Sequence, residues 1–169
     1  RKSCSPSINL LMNNSPQEYL AFANKLADAA GITSMEYFRT SLSIDSKSDE
    51  SPVTIADQNT ELKIRSMIEK EYPDHGILGE EFDSVNPDAE FIWVIDPIDG
   101  TRSYIAGHKD FGNLISLTQN KKPIIGIINC PAHDERWVGV RNQKSTVNQK
   151  IVKTSHVTEI EDAYIFTSG

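Results

Sequence analysis

Cysteine is nearly absent from this 169-residue chain: Cys4 and Cys130 are the only two. Two thiols cannot make a disulfide framework, so free thiols in a cytoplasmic setting are the expectation. Long apolar runs are lacking as well. The longest, residues 91–95 and the 124–128 stretch around Gly126, are far too short to span a bilayer, which excludes a membrane role. Two basic residues open the chain, but neither an apolar stretch nor a small-residue cleavage site follows, and no secretory signal is read. There is no Gly-rich phosphate loop, nucleophile elbow or dinucleotide fingerprint. His75, His108, His133 and His156 are scattered without metal-ligand spacing, which leaves them surface or loop roles.

Positive charge is also in deficit. Seventeen Lys and Arg stand against 24 Asp and Glu, a net charge of −7. The imbalance is local: residues 45–90 hold 13 acidic and 4 basic side chains, while the remainder is close to balanced. A face that negative repels a nucleic-acid backbone. It also repels an anionic substrate unless cations sit between the two.

What is present suits one globular domain, since 38% of the residues are hydrophobic and the length is ordinary for a single core. Residues 1–14 read as a tail and 15–169 as the domain. Ser15-Pro16-Gln17-Glu18 is a capping box with proline at the first helical position. Tyr19, Phe22, Ala23, Leu26, Ala27 and Ala30 then recur on one helical face, with Gly31 either within that helix or interrupting it. A short strand at 42–44 and a polar loop at 45–51 follow. Thr54 or Asp57 caps a second helix, which ends before Tyr72-Pro73. Strands are expected at 77–78 and 91–95, then at 114–118 and 124–128 around a hairpin loop at 120–123, and at 137–140, near 147–152 and at 163–166. The fold class is α+β, with N-terminal helices on a mainly antiparallel sheet.

The sharpest chemical feature is Asp96-Pro97-Ile98-Asp99-Gly100-Thr101, at the end of a strand with aromatic and β-branched residues. Pro97 fixes φ and Gly100 permits a tight turn, so both carboxylates and the Ile98 carbonyl can converge on one point. Hard oxygen ligands of this kind suit Mg²⁺. If Thr101 opens a helix, the backbone N–H groups of Gly100 and Thr101 point at an anion. Gly79-Glu80-Glu81 adds carboxylates at a neighbouring strand end, and several carboxylates in one site repel one another unless cations sit among them. Asp57, judged on spacing alone, is best read as a helix cap. Phosphatases with an aspartyl-phosphate intermediate place a single residue between their two aspartates. Here two intervene, which argues for water activated by metal over a carboxylate nucleophile.

Ser51-Pro52-Val53-Thr54-Ile55-Ala56-Asp57, Gly79-Glu80-Glu81 and Trp93-Val94-Ile95-Asp96-Pro97-Ile98-Asp99-Gly100-Thr101 stand in the order and spacing of one family. In these segments the chain resembles the inositol monophosphatase family of Mg²⁺-dependent, lithium-sensitive phosphatases. The resemblance implies the first part of a layered αβαβα fold. It implies metal ligation by Glu80, Asp96, the Ile98 carbonyl and Asp99, with two or more Mg²⁺ ions and Li⁺ as an inhibitor. It further implies that Thr101, with Asp57 as its hydrogen-bonded partner and Glu80, handles the attacking water, and that Gly100 and Thr101 hold the phosphate. Attack is in line, without a covalent intermediate. A homodimer is the family's common state.

Arg102-Ser103-Tyr104-Ile105-Ala106-Gly107 and Glu135-Arg136-Trp137 look most like the histidinol-phosphate phosphatases of this family, with Arg102 and Ser103 as substrate contacts. The expected function is hydrolysis of a small phosphate monoester, histidinol phosphate first and inositol monophosphate second. A catalytically weak binding or regulatory protein of the same fold is the alternative. One departure stands out. The family's C-terminal portion, with a Trp-Asp motif whose Asp completes the second metal site, has no counterpart before Gly169. A truncated form of a longer enzyme is therefore expected, with weak Mg²⁺ binding, little activity and exposed apolar surface.

Overall fold

The computed structural model describes residues 15–40, 44–46 and 52–165. Residues 1–14, most of the expected 42–44 strand, positions 47–51 and Phe166 lie outside that set. The first helix, α1 (Pro16–Tyr37), begins at the expected capping box. The Glu18 N–H donates to Ser15 Oγ at 3.3 Å, and the Ser15 N–H donates to the Glu18 carboxylate at 2.6 Å. Gly31 lies inside this helix and does not break it. A Cβ there would come within 2.9 Å of Asn129 Nδ2, so glycine is what lets the helix lie close on the sheet.

β1 (Ile44–Ser46) and β2 (Pro52–Thr54) form a small antiparallel pair, so Asp45 and Ser46, expected in a loop, are paired with Val53 and Pro52. α2 (Ile55–Glu71) follows, capped by Thr54 and stopped ahead of Pro73. The main sheet has seven strands: β3 (Gly76–Leu78), β4 (Phe91–Asp99), β5 (Gly112–Gln119), β6 (Lys122–Cys130), β7 (Glu135–Val140), β8 (Thr146–Val147) and β9 (Lys150–Ile151), in that order across it. Only the β3–β4 pair is parallel among them. A five-residue helix, α3 (Thr101–Ile105), sits between β4 and β5.

Other expected elements need correction. The hairpin loop at 120–123 shrinks to Asn120-Lys121, whose φ values of 49° and 63° fit the tight turn that right-twisted strands favour, and Lys122 and Pro123 join β6. β4 does not end at Ile95 but runs through Asp99. Residues 163–165 form no strand. Tyr164 is 92% exposed and Ile165 is 76% exposed, and no described strand lies beside them to supply ladder partners.

Both long helices cover one face of the sheet. Leu26, Ile64 and Ile68 pack there with Trp93, Ile115, Leu117 and Ile127, each essentially without solvent contact. Each such side chain contributes about 1.5–3 kcal/mol by leaving water. The opposite face keeps Ile128 and Trp137 partly exposed over an open depression of about 570 Å³. A second, smaller cluster of Ala56, Ile98, Tyr104 and Phe111 ties α2, the end of β4 and α3 together.

His75 does more than the surface or loop role expected of it. Its ring stacks between Tyr72 (4.6 Å) and Phe91 (5.0 Å), and its Nδ1 accepts the Trp93 indole N–H at 3.1 Å. An imidazolium would carry a proton on that nitrogen and lose the bond. Burial accordingly lowers the His75 pKa, against the opposing pull of Asp74 and Glu90. A depressed folded value means that His75 contributes stability present above the ordinary value near 6.5 and lost as pH falls through the lowered one. His75→Gln, which keeps an acceptor but does not titrate, should lose less stability than the unaltered chain between about pH 7.5 and 5, as read by urea denaturation. Equal losses would show that His75 does not set this slope.

Candidate active site

Thr54 extends into the start of α2, and the capping box there is closed by Asp57. The Asp57 Oδ2 accepts the Thr54 N–H at 2.8 Å and the Thr54 hydroxyl at 2.6 Å. The cap does not use up this residue, because its other oxygen faces a different element. The Thr101 hydroxyl lies 3.4 Å from Asp57 Oδ1 and 3.0 Å from the Ile98 carbonyl oxygen. One hydroxyl proton cannot serve both acceptors fully, and the shorter distance favours Ile98. Asp57 is only 2% exposed. Burial raises its pKa, while the donors from Thr54 and Thr101 partly restore the charged form.

The end of β4 explains how Ile98 reaches Thr101. Asp96 pairs with Leu114 and Asp99 with Gly112, so three steps along β4 match two along β5: a bulge. Pro97 is inside it, where a missing N–H is tolerated. Ile98 is buried, Asp96 is half-buried and Asp99 is exposed, so the bulge separates an anchoring side chain from two carboxylates nearer solvent. Gly100 follows with φ of 85°, and a Cβ there would approach the Asp110 carbonyl oxygen to 2.9 Å. The chain then enters α3 with no side-chain cap on its first turn. Arg102 is exposed on that helix and Ser103 half-buried. Asp99 is near enough to Cys130 that its charge, after burial and Glu135, helps push the thiol pKa up.

Glu80 arrives from the other side of β4. Leu78 is in parallel register with Val94, so Glu80 lies two residues past its paired position, as Asp96 does on β4. Its turn is held by a buried carboxylate absent from the sequence reading. Glu61, without solvent contact, accepts the backbone N–H groups of Glu80 (3.0 Å) and Glu81 (2.8 Å) on Oε2, and pairs with Arg65 at 2.7 Å through Oε1. A Cβ at Gly79 would fall onto the Glu61 carboxylate, which is why a glycine precedes the two glutamates. The Glu61–Arg65 spacing is visible in sequence as a helical ion pair; that it clamps a turn on a distant strand is not.

The structure thus brings Asp57, Ile98 and Thr101 into one hydrogen-bonded group and sets Asp96, Asp99 and Glu80 on adjoining strand ends. Among the described residues, no three His, Cys, Asp or Glu side chains form a ligand cluster. The expected convergence of Glu80, Asp96 and Asp99 is therefore not a closed cage of three carboxylates. The donor chemistry still fits Mg²⁺, which takes one or two carboxylates and leaves its other positions to water and substrate phosphate. Thr101 is a second point of fit, since a hydroxyl with two acceptors can release the Ile98 carbonyl and turn to Asp57.

Residues 15–169 match the inositol monophosphatase family. The chain is 39% identical to a chloroplastic bifunctional phosphatase, IMPL2, of Arabidopsis thaliana, over 94% of this chain and 49% of that protein. It is 41% identical to a histidinol-phosphatase of Chlorobaculum parvum, over 83% and 54% respectively. A solved inositol monophosphatase from Zymomonas mobilis superposes with a TM-score of 0.72 at 43% identity, covering 85% of this chain and 55% of that one. The chain spans about half the length of the curated relatives it matches. In the helices and mainly antiparallel sheet, the expected fold class is the observed one.

Glu61→Ala should cost about 3–5 kcal/mol in urea denaturation, because it leaves Arg65 buried without its carboxylate. A loss under about 1 kcal/mol, the size of an exposed pair, would contradict the clamp.

Proposed function

The chain belongs to the inositol monophosphatase family, and from that premise we propose that it serves Mg²⁺-dependent hydrolysis of a small phosphate monoester by water. The observation that carries this reading is the contact of Thr101 with both Asp57 and the Ile98 carbonyl, beside the carboxylates of Asp96 and Asp99. Asp96, Asp99, the Ile98 carbonyl and Glu80 would hold Mg²⁺. When bound, the ion supplies charge neutralisation of the phosphate and acidification of water. With the Ile98 carbonyl engaged, the Thr101 hydroxyl donates to Asp57 and keeps its lone pairs for a water proton. Glu80, exposed at the end of its clamped turn, is placed to take part in that transfer. The backbone N–H groups of Gly100 and Thr101 bind phosphate oxygens, helped by Arg102, with Ser103 as a further substrate contact. The acidic surface then needs the ions for a second reason: without them it repels the substrate.

Histidinol phosphate is the substrate this reading prefers, on the Arg102-Ser103 and Glu135-Arg136-Trp137 segments and on the name of the Chlorobaculum parvum relative. Inositol monophosphate is the alternative, supported by the name of the Zymomonas mobilis protein. Li⁺ should inhibit in either case. A binding protein of the same fold is the second reading.

Asp57→Asn separates cap from chemistry. The amide oxygen can still accept from Thr54, while the amide nitrogen would donate to Thr101 and take away its proton acceptor. Stability should stay within about 1 kcal/mol, and phosphate release with Mg²⁺ should fall about 100-fold. Asp99→Asn should weaken Mg²⁺ more than about 100-fold and abolish release. Release retained in Asp99→Asn would refute its role. No release by the unaltered chain, from histidinol phosphate, inositol monophosphate or an aryl phosphate, would favour the binding protein.

A further inference from the structure

Opposite the β4 bulge, on β5, stands Asn113, fully buried. Its Nδ2 donates to the Pro97 carbonyl oxygen at 2.7 Å and to Ser34 Oγ at 3.3 Å. Its Oδ1 accepts from Asn129 Nδ2 at 2.9 Å, and Asn129 also donates to the Ala27 carbonyl at 3.2 Å. Asn129 Oδ1 in turn accepts from Arg136 Nε at 3.0 Å. Arg136 then closes on α1, reaching Asn24 Oδ1 at 3.2 Å and Asp28 Oδ1 at 2.7 Å.

The three residues are direct cross-strand neighbours. Asn113 is in register with Asn129, and Asn129 with Arg136, so they form one polar row across β5, β6 and β7. Facing them, positions 24, 27, 28, 31 and 34 form one stripe of α1, with Gly31 giving the row its room. Along the row itself the bonds run one way, from Arg136 to Asn129, from Asn129 to Asn113 and from Asn113 to Pro97, while side branches reach α1. A guanidinium can only donate, so Asn129 must present its oxygen to it and its nitrogen inward. That fixes the Asn113 amide, whose nitrogen is left for the Pro97 carbonyl.

A polar row of this kind is costly in a core that could be apolar, and its inner end meets β4 between Asp96 and Asp99, with Ser34 of α1 as its other partner. We propose that Asn113, oriented by Asn129 and Arg136, is a positioning residue that holds the bulge in the geometry needed for ion binding. This rests on the assignment of Asp96, Ile98 and Asp99 as ligands. Fixing the Pro97 carbonyl fixes the peptide plane that joins it to Ile98, which, with the buried Ile98 side chain, restricts the direction of the Ile98 carbonyl and the spacing of the two carboxylates.

The test is calorimetric titration of the metal-free chain with Mg²⁺ alone, alongside thermal denaturation. Asn113→Leu should raise the Mg²⁺ dissociation constant tenfold or more, about the effect of removing a group that orients a ligand. Arg136→Met, which leaves Asn113 in place but frees the Asn129 amide to flip, should raise it severalfold and keeps the test valid if Asn113→Leu does not fold. Ile68→Ala, in the apolar core on α2, should lower the melting temperature yet change the constant less than about twofold. Unchanged Mg²⁺ affinity in the folded variants, or equal weakening by Ile68→Ala, overturns the positioning role alone. Absence of Mg²⁺ binding by the unaltered chain overturns both this role and the ligand assignment.

Discussion

β4 lies between β3 and β5, and Pro97, past the β3 pairing that ends at Val94, can donate no ladder hydrogen bond to β5. Interior strands accept proline only where the ladder is already interrupted, and here the interruption is the bulge between Asp96 and Asp99. The bulge lets two acidic residues leave the same strand with different exposure. Between them, the buried Ile98 anchors the turn in the small core of Ala56, Tyr104 and Phe111. Its carbonyl faces the hydroxyl of Thr101. Gly100 then reverses the chain into α3. The bulge that houses the proline thus sets where Asp96, Ile98 and Asp99 leave the strand.

Buried charge and polarity serve the same end in three places. Glu61 with Arg65 secures the turn that carries Glu80. Asp57, inside a helix cap, gives Thr101 an acceptor. Asn113 satisfies Pro97 from the helix side. Each of these polar groups is bonded to backbone or to a partner side chain, so burial does not leave them orphaned. Of the carboxylates proposed as ligands, Asp99 and Glu80 are exposed and Asp96 is half-buried. A cation can therefore reach them with much of its water, as suits Mg²⁺.

Local signals in the sequence were enough for both long helices: the Ser15–Glu18 box, the apolar spacing that follows it, and Pro73 after α2. They were enough, too, for the alternation of β5 and β6. They missed where pairing outruns pattern. Residues 96–99 read as a turn because Asp, Pro and Gly are turn formers, yet Asp96 and Asp99 stay paired with β5 on either side of the bulge. Residues 163–165 read as a strand because they are apolar, yet no described neighbour pairs with them. At the candidate site, the Asp96-to-Thr101 run and its link to Asp57 were legible, the second through family resemblance and not spacing. Glu61, Asn113 and Asn129 were not, because a glutamate on a helix and asparagines in strands carry no local mark of what they meet. Glu61 meets the Glu80 N–H 19 residues away, Asn113 the Pro97 carbonyl 16 away and Asn129 the Ala27 carbonyl 102 away.

The central claim is that oxygen atoms at the bulged end of β4 hold a divalent ion. Mn²⁺, as an anomalous scatterer in crystals of the metal-loaded chain, locates such an ion directly. The account predicts a peak within about 2.5 Å of oxygens from Asp96 and Asp99 or the Ile98 carbonyl. A peak bound by other residues, with these oxygens out of reach, would contradict it.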